Sequence, residues 1–162
     1  MVEIVCDTSP LLHLARIGRL ELLEWLEARV LVPPAVIREL AAGTEMGLAV
    51  SEIGSLAWVE TRAPGASALS RVSIELGPGE REVLALGMEV PDRVLILDDR
   101  AARRSALELG LAHTGTLGVL LESKRRGRIR SVATLIDELL ESGFYIEPRI
   151  VATVLRRAGE TT

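Results

Sequence analysis

The sequence predicts an α/β fold, with a mainly parallel sheet covered by helices on both faces. Three observations predict it. Short apolar runs, Ile4–Cys6, Val30–Val32 and Val94–Leu97, alternate with segments of helical spacing. The runs are continuously apolar, as strands buried on both faces are. Two of them pass directly into aspartate, at Asp7 and at Asp98-Asp99. Strands that alternate with helices pair in parallel, because the crossover helix returns the chain to the same edge. Ligands of such sheets bind beyond the carboxyl ends of the strands. Two parallel strands that each end in aspartate therefore bring acids to the place where a ligand would sit.

Taken in order, residues 2–6 form the first strand. Asp-Thr-Ser before Pro10 is a capping sequence, with Ser9 and Pro10 as cap and first turn of a helix that stops at Gly18. Leu20, Leu22, Leu23, Trp25 and Leu26 mark a second helix. Val30–Val32 is a strand closed by Pro33-Pro34, which open a helix over 35–42. Residues 43–56 receive no element. Residues 57–60 form a strand, and 61–66 a loop around Pro64-Gly65. A helix opens at Gly77-Pro78-Gly79-Glu80 and runs to Glu89. The strand 94–97 is followed by a helix over 100–109, a short last strand over 111–114, and a helix over 115–124 that stops at Gly127. Helices over 134–141 and 149–157 close the chain. With no long linker and no repeat, residues 1–157 are expected to be one domain and 158–162 a short tail.

Composition narrows the function. Of the 162 residues 26% are charged and 48% hydrophobic, which describes a globular chain. The net charge of −4 argues against a broadly basic nucleic-acid binder but leaves room for a local basic patch. Glu3 and Asp7 in the first apolar stretch do not suit a signal peptide. The uncharged stretch 109–121 is too short and polar for a membrane span. One cysteine, Cys6, excludes an internal disulfide and fits a cytoplasmic location, and one Cys with two His disfavours a zinc cluster.

The acids each have a plain reading beside a functional one. One of Asp98 and Asp99 can cap the following helix, which accounts for one carboxylate and not two. Adjacent unscreened carboxylates repel, so a cation between them is the competing explanation. Asp7 fits a capping sequence, yet it stands at a second strand end. Glu80 in a first helical turn is favoured by the helix dipole, and Glu39 passes as a helix surface residue. Gly-Pro-Gly-Glu lacks the spacing of a phosphate loop. Lys124, Arg125 and Arg126 suit a helix C-terminus, but with Arg128 and Arg130 the run exceeds what capping needs and reads as a phosphate-contacting edge. Arg100, Arg103 and Arg104 either steer a polyanion or balance the acids before them. His13 and His113 read as packing residues.

Five stretches in this order resemble the PIN domain: Asp7-Thr8-Ser9-Pro10-Leu11-Leu12, Val32 to Leu40, Gly77-Pro78-Gly79-Glu80-Arg81-Glu82, Leu97-Asp98-Asp99-Arg100, and Gly115 to Leu121. The resemblance is to a bacterial and archaeal subfamily related to VapC-type toxins. It implies a three-layer α/β/α domain with a central, mainly parallel sheet of about five strands. It implies a catalytic pocket of Asp7, Glu39, Glu80, Asp98 and Asp99. The first four are the metal ligands, with Asp98 preferred over its neighbour, and the ions are Mg²⁺ or Mn²⁺. Hard carboxylate oxygens suit such ions, and a pair of ions activates water and stabilises the leaving oxygen of a phosphodiester. Ser9 and Thr116 are implied to orient acids or water, and Arg100, Arg103, Arg104, Lys124, Arg125 and Arg126 to contact RNA. The expected activity is metal-dependent ribonuclease, in a homodimer, with an antitoxin as a further partner. The amphipathic segment Ile150, Val151, Val154 and Leu155 is a candidate for either contact or for packing on its own domain.

Two rivals follow from the same residues. A PIN-like chain that no longer cuts would act as a binding or assembly module. A receiver-type signalling domain also carries an aspartate pair, but its lysine belongs at a late strand end, whereas Lys124 lies at a helix end. An Asp-x-Asp phosphatase is disfavoured because Thr8 and Ser9 follow Asp7.

Overall fold

Five parallel strands form one sheet in a computed structural model that describes residues 2–43 and 52–160. They are β1 (Glu3–Cys6), β2 (Arg29–Val32), β3 (Val59–Thr61), β4 (Arg93–Ile96) and β5 (His113–Thr114), in the order β3-β2-β1-β4-β5. The central strands are buried toward their carboxyl ends: Val5, Cys6, Val30, Leu31, Val32 and Leu95 are all 0% exposed. That is why they read as unbroken apolar runs. The outer strand β3 carries Glu60, and charge on an edge strand discourages pairing with another chain.

Helices form the outer layers. They are α1 (Thr8–Arg16), α2 (Glu21–Glu24), α3 (Pro34–Gly43), α4 (Ala66–Ser70), α5 (Pro78–Glu89), α6 (Arg100–Glu108), α7 (Thr116–Arg125), α8 (Val132–Glu141) and α9 (Pro148–Arg157). Helices α3, α4, α5 and α6 pack against one another, as do α2, α7, α8 and α9, and α1 touches both α3 and α7. The architecture is the three-layer α/β/α arrangement around a parallel sheet. Gly18 and Gly127 take φ of +68° and +72° just past their helices, where glycine avoids a Cβ clash.

Several boundaries differ from the expectation. Helix α1 starts at Thr8, with Asp7 rather than Ser9 in the cap position. Pro10 is accommodated in the first turn, where its missing N–H is not needed. Helix α4 and a 3-10 turn at Ile53–Ser55 have no counterpart in the sequence reading. The last strand shrinks to two residues because the Leu111 N–H is taken by the Ala106 carbonyl at 2.8 Å, closing α6. Helix α8 begins two residues early, capped by the Ser131 hydroxyl, which accepts from the Thr134 N–H. Residues 44–51, inside the stretch left without an element, lie outside the described residues, as do Met1, Thr161 and Thr162. Glu160, in the expected tail, accepts from the Val132 N–H at 2.7 Å and pairs with Lys124 at 2.8 Å.

The strand order fixes where a site belongs. The chain moves outward from β1 through β2 to β3, then returns to place β4 on the other side of β1. Neighbouring loops at that reversal leave in opposite directions and open a crevice at the strands' carboxyl ends.

Candidate active site

Asp7 follows β1 directly and Asp98 lies two residues beyond β4. Cys6 pairs with Ile96, and the Asp7 N–H donates to the Ile96 carbonyl at 3.1 Å. The register thus sets both aspartates at the reversal point. Helices that begin there bring the other acids: Glu39 on α3, Glu80 in the first turn of α5, and Asp99 at the start of α6.

Asp7 is the most perturbed of the five. It is 3% exposed, and its Oδ1 has no hydrogen-bond partner. Although it occupies the cap position of α1, its side chain makes no cap bond. Burial pushes its pKa from 3.8 to about 7; the Thr8 backbone N–H opposes the rise, and repulsion from Glu80, Glu39 and Asp98 adds to it. Glu80 is also raised, by burial first and then by Asp99 and Glu39, while the Gly77 N–H pulls it down. None of the five acids forms an ion pair among the described residues.

Asp98 and Glu39 are held by their own donors. The Thr116 N–H donates to Asp98 Oδ1 at 2.8 Å, and the Thr116 hydroxyl donates to Oδ2 at 2.6 Å. Asp98 thus caps α7 from outside the helix. Glu39 accepts from the Gly79 N–H at 2.9 Å and from the Thr8 hydroxyl. Each oxygen has a second lone pair, so these bonds orient the carboxylates without using them up. Asp99 takes the plain role left open in the sequence: its Oδ1 accepts from the Ala102 N–H at 2.9 Å as the cap of α6, and the residue is exposed.

Residues the sequence reading missed support the acids. Thr8 binds Glu39, whereas Ser9 sits half-buried in the first turn of α1 and makes no side-chain hydrogen bond among the described residues. Two glycines leave room for carboxylates. A Cβ on Gly79 would stand 2.5 Å from Glu39 Oε2, and one on Gly115 would stand 2.8 Å from Asp98 Oδ1. Glu82 accepts from the Ala35 N–H at 2.7 Å and so caps the helix that carries Glu39. The adjacency of Thr8 to Asp7 and the glycines flanking Glu80 and Thr116 were the available signals.

The two basic groups behave differently. Lys124 pairs with Glu160; Arg125 and Arg126 pair with Glu122 at 2.5 and 2.7 Å; Arg128 pairs with Glu27 at 2.9 Å. Two of these pairs, to Glu160 and Glu27, reach remote segments, and the two to Glu122 stay on α7. Arg100, Arg103 and Arg104 are exposed and form no ion pair among the described residues, and Arg100 and Arg103 line a groove next to Asp98. His13 packs its ring 4.2 Å from that of Phe144, and His113 Nδ1 lies 3.0 Å from the Leu111 carbonyl.

The donor set fits a hard divalent ion. Its acids offer carboxylate oxygens, form no ion pair among the described residues, and leave a buried Oδ1 unpartnered on Asp7. As the side chains stand, no three of the described Asp, Glu, His or Cys residues converge tightly enough to hold one ion.

A parallel sheet with acids gathered at its reversal point is the ligand-binding arrangement of open α/β domains. The family model for PIN domains matches residues 3–160, and this chain belongs to that family. PIN domains are generally nucleases and typically use divalent metals. No curated protein matches the chain. Among the described residues no helix is long and apolar enough to cross a membrane.

Proposed function

We propose that the protein is a Mg²⁺- or Mn²⁺-dependent endoribonuclease. The observation that carries this reading is the group of five carboxylates that form no ion pair among the described residues, with Asp7 buried and its Oδ1 unpartnered. Burying and crowding acids in this way costs stability unless something positive joins them.

Asp7, Glu39, Glu80 and Asp98 are the proposed ligands. When bound, a divalent ion supplies Lewis-acid charge to the scissile phosphate and makes nearby water acidic enough to deliver hydroxide at neutral pH. The chain's residues do the rest. Asp7, at the end of β1, offers a buried oxygen with no other partner. Thr116 fixes the plane of the Asp98 carboxylate through two hydrogen bonds. Thr8 and Gly79 fix Glu39. Asp99 stays on α6 and contributes charge, raising the proton affinity of Glu80. Arg100, Arg103 and Arg104 attract the RNA backbone to an acidic site it would otherwise avoid. This reading includes a homodimer and an antitoxin partner, the arrangement of the VapC-type toxins.

A non-cutting PIN-like module is the second reading, favoured by the separation of the acids among the described residues. The two are separated by incubating a mixed RNA pool with Mn²⁺, Mg²⁺ or EDTA, using wild type and Asp7→Asn. Cleavage that needs both the metal and Asp7 is the expected result. Wild-type cleavage in EDTA, or full activity of Asp7→Asn, would sink the proposal.

A further inference from the structure

We propose that the groove beside Asp98 binds a single-stranded nucleic acid, with Tyr145 as a stacking platform for a base and Arg100, Arg103 and Arg157 as contacts to the backbone. The choice of ligand rests on the nuclease reading above; the site itself rests on the groove. It is a cavity of about 350 Å³ between α6, the start of α7, the loop before α9 and the end of α9. Asp98 lies on its wall, so a strand held here passes the acids.

Tyr145 is the only tyrosine in the chain, and it is 79% exposed. A lone exposed apolar residue needs no explanation, but this one is built into place. Its neighbours alternate with it: Phe144 packs on the His13 ring 4.2 Å away, and Ile146 is 7% exposed. The Phe144 N–H donates to the Leu139 carbonyl at 3.0 Å, after Gly143 turns the chain with φ of +98°. The backbone is anchored on both sides of an aromatic ring that is itself turned to solvent. Such a ring loses little freedom when a base stacks on it. Stacking is sequence-tolerant, because every base has a π-face, and it requires an unpaired base.

Charge selects a polyanion. Arg100, Arg103 and Arg157 line the groove and have no ion pair among the described residues; of its two carboxylates, Asp98 is held by Thr116 and Glu147 is paired with Arg149 at 3.6 Å. The lining also carries Leu117, Leu121 and Ile150, and it is the surplus of unpaired guanidinium groups beside the exposed ring that favours a polyanion over a protein segment.

The test is fluorescence anisotropy in EDTA, with randomised single-stranded RNA and a duplex as probes. Wild type is compared with Tyr145→Ala, Tyr145→Phe and Arg157→Ala, with thermal melts to confirm that each is folded. Tyr145→Ala is expected to weaken single-strand binding about tenfold, with Tyr145→Phe close to wild type. Arg157→Ala is expected to lower the slope of log affinity against log salt by about 0.7. Unchanged affinity of Tyr145→Ala, a preference for duplex, or no binding by wild type would each overturn the proposal. A Tyr145→Ala variant that changes only oligomeric state, or only releases a co-purified protein, would assign the groove to a protein partner and overturn it as well. Cleavage is assayed in parallel. Tyr145-dependent binding without any cleavage would remove the nuclease reading and leave this site standing, and cleavage with Tyr145-independent binding would do the reverse.

Discussion

The two ends of the sheet treat their carboxylates in opposite ways. At the amino ends of β1 and β2, Arg29 bridges Glu3 and Glu60 of the edge strand β3, and Arg62, just past β3, pairs with Glu60 at 2.7 Å. Hydrogen bonding from Arg62 draws the Glu60 pKa below its ordinary value. At the carboxyl end, Asp7, Glu39, Glu80, Asp98 and Asp99 gather without an ion pair among the described residues, and burial pushes Asp7 up to about 7. The same strands carry both arrangements, so the difference is not a property of the fold. One end has its charges balanced by side chains, as a structural edge does. The other is left unbalanced, and perturbed acids in a crevice mark a functional site.

The contrast breaks most severely if the carboxyl end is changed. Asp7→Asn and Asp98→Asn are each expected to abolish metal-dependent RNA cleavage, read by gel, while circular dichroism stays native. Next come the glycines that make room for the acids. Gly115→Ala and Gly79→Ala are expected to reduce cleavage by roughly 10- to 100-fold through displaced carboxylates, with the melt little changed. A wild-type rate in either would show that the carboxylate positions do not matter.

The pH dependence of stability sharpens the comparison. Below pH 3.8 Asp7 is protonated in both the folded and unfolded chain. Between that value and about 7 the unfolded chain has released the proton and the folded chain still holds it. The folded state binds more protons there, so stability falls as pH rises and levels off above about 7. The loss from this group has an upper bound of ~4 kcal/mol. Metal-free wild type is expected to lose stability over this window and Asp7→Asn to lose less, making the inactive variant the more stable one at pH 8. Parallel curves for the two proteins would contradict the perturbed Asp7. The smallest effect belongs to the amino end: Arg29→Ala is expected to cost roughly 0 to 1 kcal/mol in a melt and to leave cleavage unchanged.

Much of this was legible before the structure. Ile4–Cys6 and Val94–Leu97 announce buried parallel strands, and an aspartate after each predicts where the acids meet. Legibility stopped where a residue's role depends on a distant partner. Glu39 looks like a surface helix residue until α3 packs on α5 and brings Gly79, 40 positions away, under its carboxylate. Asp98 and Asp99 are alike in sequence, and only the approach of Thr116 gives one of them a partner while the other caps α6. The partners of Lys124 and Arg128 were hidden for the same reason, because Glu160 and Glu27 come from remote segments. Tyr145 carried no signal in sequence, since its exposure depends on Phe144 and Ile146 being anchored.

The central claim is that the carboxyl end of the sheet is unbalanced because it takes a divalent cation. Titration of Mn²⁺ into metal-free protein, followed by electron paramagnetic resonance of the free ion, tests it without reference to any RNA. Saturable uptake by wild type, lost in Asp7→Asn and in Asp98→Asn and retained in Arg29→Ala, is the result expected. Wild type that takes up no Mn²⁺ at millimolar concentration, or aspartate variants that bind as wild type does, would contradict it.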